Sequence, residues 1–240
     1  MLVQNWMHEN VVAVGPDDSM QDAIKLLKKH DIRRLPVIEK GKVVGIVTDR
    51  DLKRASASDA TTLEIHELLY LISTIKVEEV MTRDPITVPL DYTVEETAEI
   101  LLKNKISGVP VVDHEGRLRG IITQTDLFRT LITLTGLSKR GIQFAFQLED
   151  RPGSIKETAD IIRKYGGRVI SILSHCGRVP KGYRKVYIRA YGIERSKLEQ
   201  LTQTLKGSSD LLYLVDHREN RREIYLPEDS PLSYKAKAVV

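Results

Sequence analysis

Met7 and Met81 stand 74 residues apart, and the same offset joins Val3 to Val77, Val14 to Val88, Asp17 to Asp91, Leu27 to Leu101, Ile32 to Ile106, Pro36 to Pro110 and Val37 to Val111. After one inserted residue the offset becomes 75 and joins Gly41 to Gly116, Gly45 to Gly120, Thr48 to Thr123, Asp51 to Asp126 and Leu52 to Leu127. A register this long marks an internal duplication, which constrains a fold more than composition does. Two copies of one unit fill about the first 135 residues.

Each copy reads β-α-β-β-α. A short strand (11–14, then 86–88) leads into a helix. Ser19 caps the first helix, ahead of Met20, Ala23, Ile24 and Leu27 at helical spacing; Thr93 caps the second, with Glu96 completing a capping box. Strands 35–39 and 42–48 turn around Gly41, and strands 109–113 and 117–123 around Gly116. A last helix starts at "TDRD" in one copy and "TQTD" in the other. One such unit has too little apolar surface for a good core. Two packed back to back give one core and two equivalent clefts.

Between the copies, a polar linker from residue 55 leads to a helix with Ile65, Leu68, Leu69 and Ile72 on one face. That stripe calls for a partner, either its own domain or a second subunit. After Leu137 the pattern changes. "IQFAFQL" alternates as a half-buried strand does, "RPGSIKETADIIRKYGG" reads as a turn and a helix closed by Gly166 and Gly167, and further strand and helix patterns give β-α-β-β-α-β over 142–216. The expected divisions are 1–60 (first repeat), 61–76 (linker helix), 77–136 (second repeat), 140–218 (third unit) and 219–240 (a polar, flexible tail).

Composition narrows the function. At 41% hydrophobic and 29% charged, the chain reads as soluble and globular. It has no apolar run of about 18 residues to span a membrane. Its start lacks a signal-peptide pattern, and the lone Cys176, read as a core or half-buried thiol, cannot close an internal disulfide; the cytoplasm is the expected compartment. There is no phosphate-loop or dinucleotide fingerprint and no nucleophile elbow, and the six histidines lack metal-ligand spacing. No catalytic residue, metal or catalytic cofactor is expected, so the chain reads as a non-enzyme. The net charge of +4 is scattered, and the basic loop around Arg178, Lys181, Arg184 and Lys185 lacks an aromatic platform or recognition helix. Nucleic-acid binding is therefore a disfavoured alternative.

The repeated T-x-x-D carries the chemistry. Residues three apart share a helix face, so the hydroxyl and the carboxylate point into one space. A carboxylate can accept both hydroxyls of a ribose, and a helix N-terminus favours phosphate. The same pattern is also a plain helix cap, and duplication copies caps as readily as sites.

"VMTRDPITV", "ISGVPVVD" and "GIITQTDL", with their partners "RRLPVIE" and "GIVTDRDL", resemble the cystathionine β-synthase (CBS) domain pair, or Bateman module. "LEDRPGSIKETADIIRKYGGRVISI" resembles an ACT domain, and the order CBS–CBS–ACT is similar to proteins named for acetoin utilisation. The resemblance implies an α+β chain: two CBS repeats in a pseudo-two-fold pair, then a ferredoxin-like ACT domain. It implies adenine-nucleotide binding, with Thr48 and Asp51 serving one cleft and Thr123 and Asp126 the other. Pro36, Val37, Pro110 and Val111 would wall the base. Arg33 and Arg50 would draw phosphate to the first cleft, where the second has Ser107, so the first should be the more anion-loving. The turn Asp150, Arg151, Pro152, Gly153 and Ser154 is the place for an amino acid, although Arg151 departs from a small-residue cradle. A homodimer through CBS faces, linker helix or ACT sheet, and a regulated partner protein, complete the expectation. Its bland rival is a dimerisation scaffold with filled clefts.

Overall fold

The computed structural model describes residues 1–59, 70 and 72–225, with side chains for 1–55, 70 and 72–225. The chain divides into two compact units, 1–129 and 130–240.

In the first unit the duplication folds as two matching halves. The first has α1 (Met20–His30), β1 (Arg34–Glu39), β2 (Lys42–Thr48) and α2 (Asp49–Asp59). The second has β4 (Val88–Pro89), α4 (Val94–Asn104), β5 (Gly108–Val112), β6 (Leu118–Thr123) and α5 (Gln124–Leu134), whose last turns fall in the second unit. Ser19 accepts from the Asp22 amide at 3.1 Å, and Thr93 and Glu96 form a reciprocal capping box, as the sequence predicts. Both helices end on a left-handed residue in the same register, Asp31 (φ 51°) and Lys105 (φ 54°). Both hairpins carry a bulge at the same register position, after Val37 and after Val111. The expected strand at 11–14 shrinks to a single parallel bridge between Val14 and Val37. The residues from 55 to 59, expected as linker, continue α2.

The halves are not self-contained. The segment ahead of each copy packs on the other copy. Residues 3–8 lie on the second: Val3 is fully buried with Val88, Val94 and Val109, Met7 sits against Gly120, and His8 pairs with Ile121. In register, α3 (Val77–Val80), Met81 and β3 (Thr82–Arg83) lie on the first: Val77 is fully buried, Met81 sits against Gly45, and β3 pairs with β2. A backbone bridge between Lys42 and Arg117 joins the two hairpins.

The second unit has β7 (Ile142–Glu149), α6 (Ser154–Lys164), β8 (Arg168–His175), β9 (Tyr183–Tyr191), α7 (Arg195–Ser208), β10 (Asp210–Asp216) and β11 (Arg221–Ile224). The strands form one antiparallel sheet in the order β11-β10-β7-β9-β8. Period-two residues of β7 and β9, including Phe144, Phe146 and Ile188, meet Ile162, Leu201 and Leu205 of the helices in one buried cluster. Residues 221–224, expected as flexible tail, are instead an edge strand. Charged "RREI" hides this, because a strand with one neighbour and an open face needs little apolar surface. Cys176 is exposed beyond the end of β8 rather than half-buried. Ile72 packs on the first repeat's core, while Ile65, Leu68, Leu69 and residues 226–240 lie outside the described residues. No described helix is long and apolar enough to cross a membrane.

A Cβ on Gly120 would overlap the Met7 sulfur and approach the His8 carbonyl to 3.0 Å. Gly120→Ala should destabilise the chain by about 1–3 kcal/mol in urea unfolding, with part of the loss recovered by adding Met7→Ala.

Candidate functional site

Each T-x-x-D is a closed cap. Thr48 donates to Asp51 Oδ2 from its amide (3.0 Å) and its hydroxyl (2.6 Å), and the Asp51 amide returns to the Thr48 hydroxyl at 3.3 Å. Thr123 donates to Asp126 Oδ2 in the same way, at 2.9 and 2.6 Å. The threonine hydroxyl spends its proton on the aspartate, so it does not donate to a ligand in this arrangement. Asp Oδ1 is left to look outward. On Asp51 it meets Arg54 at 3.4 Å. On Asp126 it accepts from His8 Nε2 at 2.9 Å and meets Arg129 at 3.4 Å.

Around Asp126 lies a cleft of about 520 Å³, in the range of small-molecule sites. Val11, Val12, Ile32 and Ile121 give it apolar walls, His8 lines its rim, and Arg33, Arg34 and Arg129 make it basic against Asp31 and Asp126. Arg33 and Arg34 form no ion pair among the described residues. Arg34 Nη2 donates to the Ser107 hydroxyl at 2.5 Å. Burial pushes its guanidinium below the usual arginine value; Asp49 and Asp126 oppose that, while Arg33 adds to it. A half-buried cation held by a neutral hydroxyl is a place where an anion gains.

The two arginines of the first copy gather at the second copy's motif. The Arg33 carbonyl accepts from the Asp49 amide at 3.1 Å, beside Thr48, and the residue lines the Asp126 cleft together with Ser107. The register explains it. Arg34 of one copy matches Gly108 of the other, and the two touch. A Cβ on Gly108 would overlap the Arg34 guanidinium, so glycine is what lets the arginine cross into the other copy's cleft. Arg50 is exposed on α2. Pro36, Val37, Pro110 and Val111 do not wall this cleft; all four are buried, the valines at the centres of the two cores. Sequence reasoning passed over His8, Arg34 and Arg129. The 74-residue register offered a signal only for Arg34, whose partner position is glycine.

In the second unit, Asp150, Arg151, Pro152, Gly153 and Ser154 form the turn from β7 to α6, with Gly153 left-handed (φ 90°), beside a hollow of about 630 Å³. Arg151 is clamped by Glu157 (2.6 Å) and Glu149 (3.3 Å), and Asp150 by Arg184 (2.7 Å). That last pair also removes one cation from the basic loop.

The CBS domain family model matches residues 3–58 and 77–133. A CBS domain-containing protein of Dictyostelium discoideum is 33% identical over 133 residues, 55% of this chain and 92% of that protein. The chain belongs to the CBS-domain family. An inosine-5'-monophosphate dehydrogenase of Korarchaeum cryptofilum is 35% identical over 52% of this chain, which spans only 23% of that enzyme. Among solved structures, the CBS domain pair of protein MJ0100, in complex with 5'-methylthioadenosine and S-adenosyl-L-methionine, is 34% identical over 55% of this chain and 95% of that one, with a TM-score of 0.47. CBSX2 of Arabidopsis thaliana, in complex with AMP, is 30% identical over 55% and 96%, also at 0.47.

The CBS repeats therefore hold two T-x-x-D caps of one local geometry in unlike surroundings. Removing either carboxylate opens its cap. Asp51→Ala and Asp126→Ala should each cost about 1 kcal/mol of stability in chemical denaturation, with Asp126→Ala the larger because it also strands His8 and Arg129.

Proposed function

We propose that the chain is a regulatory sensor that binds an adenine nucleotide in the Asp126 cleft. The observation that carries this is the placing of Asp126, in one cleft, beside Arg33 and Arg34, which form no ion pair among the described residues. A ribose hydroxyl donates to Oδ1, the base lies on Val11, Val12, Ile32 and Ile121, and the phosphate lies on the arginines and near the amino end of α5. Sequence relatives that bind AMP, S-adenosyl-L-methionine or 5'-methylthioadenosine support the ligand class. The Asp51 motif, for which Ser107 and Gly108 hold the register positions of the arginines, suits phosphate less well.

The chain is read as a non-enzyme that acts in the cytoplasm as a homodimer and passes the nucleotide state through the linker helix to the second unit. The strand order of that unit, without β11, is a ferredoxin-like one, which supports the ACT reading, and its exposed edge strand β8 suits pairing with a second copy. The clamped Arg151 makes pairing a better reading of the ACT unit than amino-acid capture at its turn. A ligand shifts such an assembly only by binding its states unequally.

Thermal unfolding with AMP, ADP, ATP, NAD and S-adenosyl-L-methionine tests this. At least one adenine nucleotide should raise the midpoint by several degrees, and Arg33→Ala/Arg34→Ala should remove about tenfold or more of its affinity. No shift with any of the five, in a folded protein, refutes the nucleotide reading.

A further inference from the structure

We propose that His8 is a latch on the nucleotide's ribose seat, making affinity in the Asp126 cleft depend on pH. This rests on the nucleotide reading above. Asp126 has one oxygen engaged in its cap, and His8 Nε2 covers the other at 2.9 Å. The Asp126 side chain is only 5% exposed whereas the imidazole is 58% exposed. The carboxylate therefore cannot turn away to meet a ligand, but the histidine can. Its backbone is fixed by the bridge to Ile121, so the motion is a side-chain rotation off a held main chain.

The ribose and His8 compete for the same acceptor. Neutral His8 offers an ordinary N–H, which a ribose hydroxyl replaces at little loss. Protonated His8 offers a charge-assisted bond, about twice as strong. Histidine is the side chain whose ordinary titration falls between pH 5 and 8. The charged groups that share the cleft are Asp31, Arg33, Arg34, Asp126 and Arg129; β6 contributes Ile121 and Thr123, neither of which titrates in this range. Thr82 holds the register position of His8 on the other copy, so the register brings no histidine to the Asp51 motif.

The test is AMP affinity by isothermal calorimetry at pH 5.5, 6.5 and 8.0 for the full chain, His8→Ala and His8→Gln. Comparing variants at equal pH cancels the titration of the AMP phosphate. The expected result for His8→Ala is binding about threefold tighter than the parent at pH 8.0 and about tenfold tighter at pH 5.5. His8→Gln keeps a neutral N–H at the same reach, so it should match the parent at pH 8.0 and bind more tightly than it at pH 5.5. Weaker binding by His8→Ala would make His8 a ligand contact and overturn the latch. A ratio of one at every pH would overturn it too, with the nucleotide site intact. No AMP binding by any of the three proteins would remove the site itself, and the latch with it.

Discussion

The exchange of leading segments between the two copies is the constraint on which the rest of the first unit depends. Met7 fills the space over Gly120, and Met81 fills the same space over Gly45. Val3 and Val77 enter the opposite cores at full burial. Neither copy can therefore complete its core alone, which fits the small apolar surface of one unit. The exchange also places chemistry. Because residues 3–8 lie on the second copy, His8 reaches Asp126. Nothing in its own copy would have brought it there.

A second contact across the pseudo-two-fold breaks the symmetry. Equivalent positions of the duplication hold Arg34 and Gly108, and the arginine extends into the room the glycine leaves, to hydrogen-bond Ser107. Substitution at one pair of positions has moved positive charge toward one cleft. Two caps of one local geometry then differ in their charged neighbours among the described residues: one carboxylate meets Arg54, while the other meets His8, Arg129 and a basic wall.

Much of this was legible in the sequence because it is local. The helices, their caps at Ser19 and Thr93, the hairpins around Gly41 and Gly116, and the β-α-β-β-α-β of the second unit follow from periodicity and capping chemistry. The paired T-x-x-D motifs follow from the register. What escaped is what depends on partners distant in the chain. The offset tied Arg33 to its own copy's motif, since a repeat shows which positions correspond but not which copy a side chain points into. Pro36, Val37, Pro110 and Val111 fit a ligand wall and a core equally well on sequence, because a run of buried strand residues serves either. His8 gave no local signal at all. "RREI" read as tail because an edge strand can be as polar as a loop.

The central claim is that Asp126, not Asp51, seats the ribose. A crystal structure of the chain with AMP tests it most directly. The account predicts a ribose hydroxyl within hydrogen-bond distance of Asp126 Oδ1 and the phosphate against Arg33 and Arg34. A nucleotide bound at Asp51, with the Asp126 cleft still closed by His8, would contradict it.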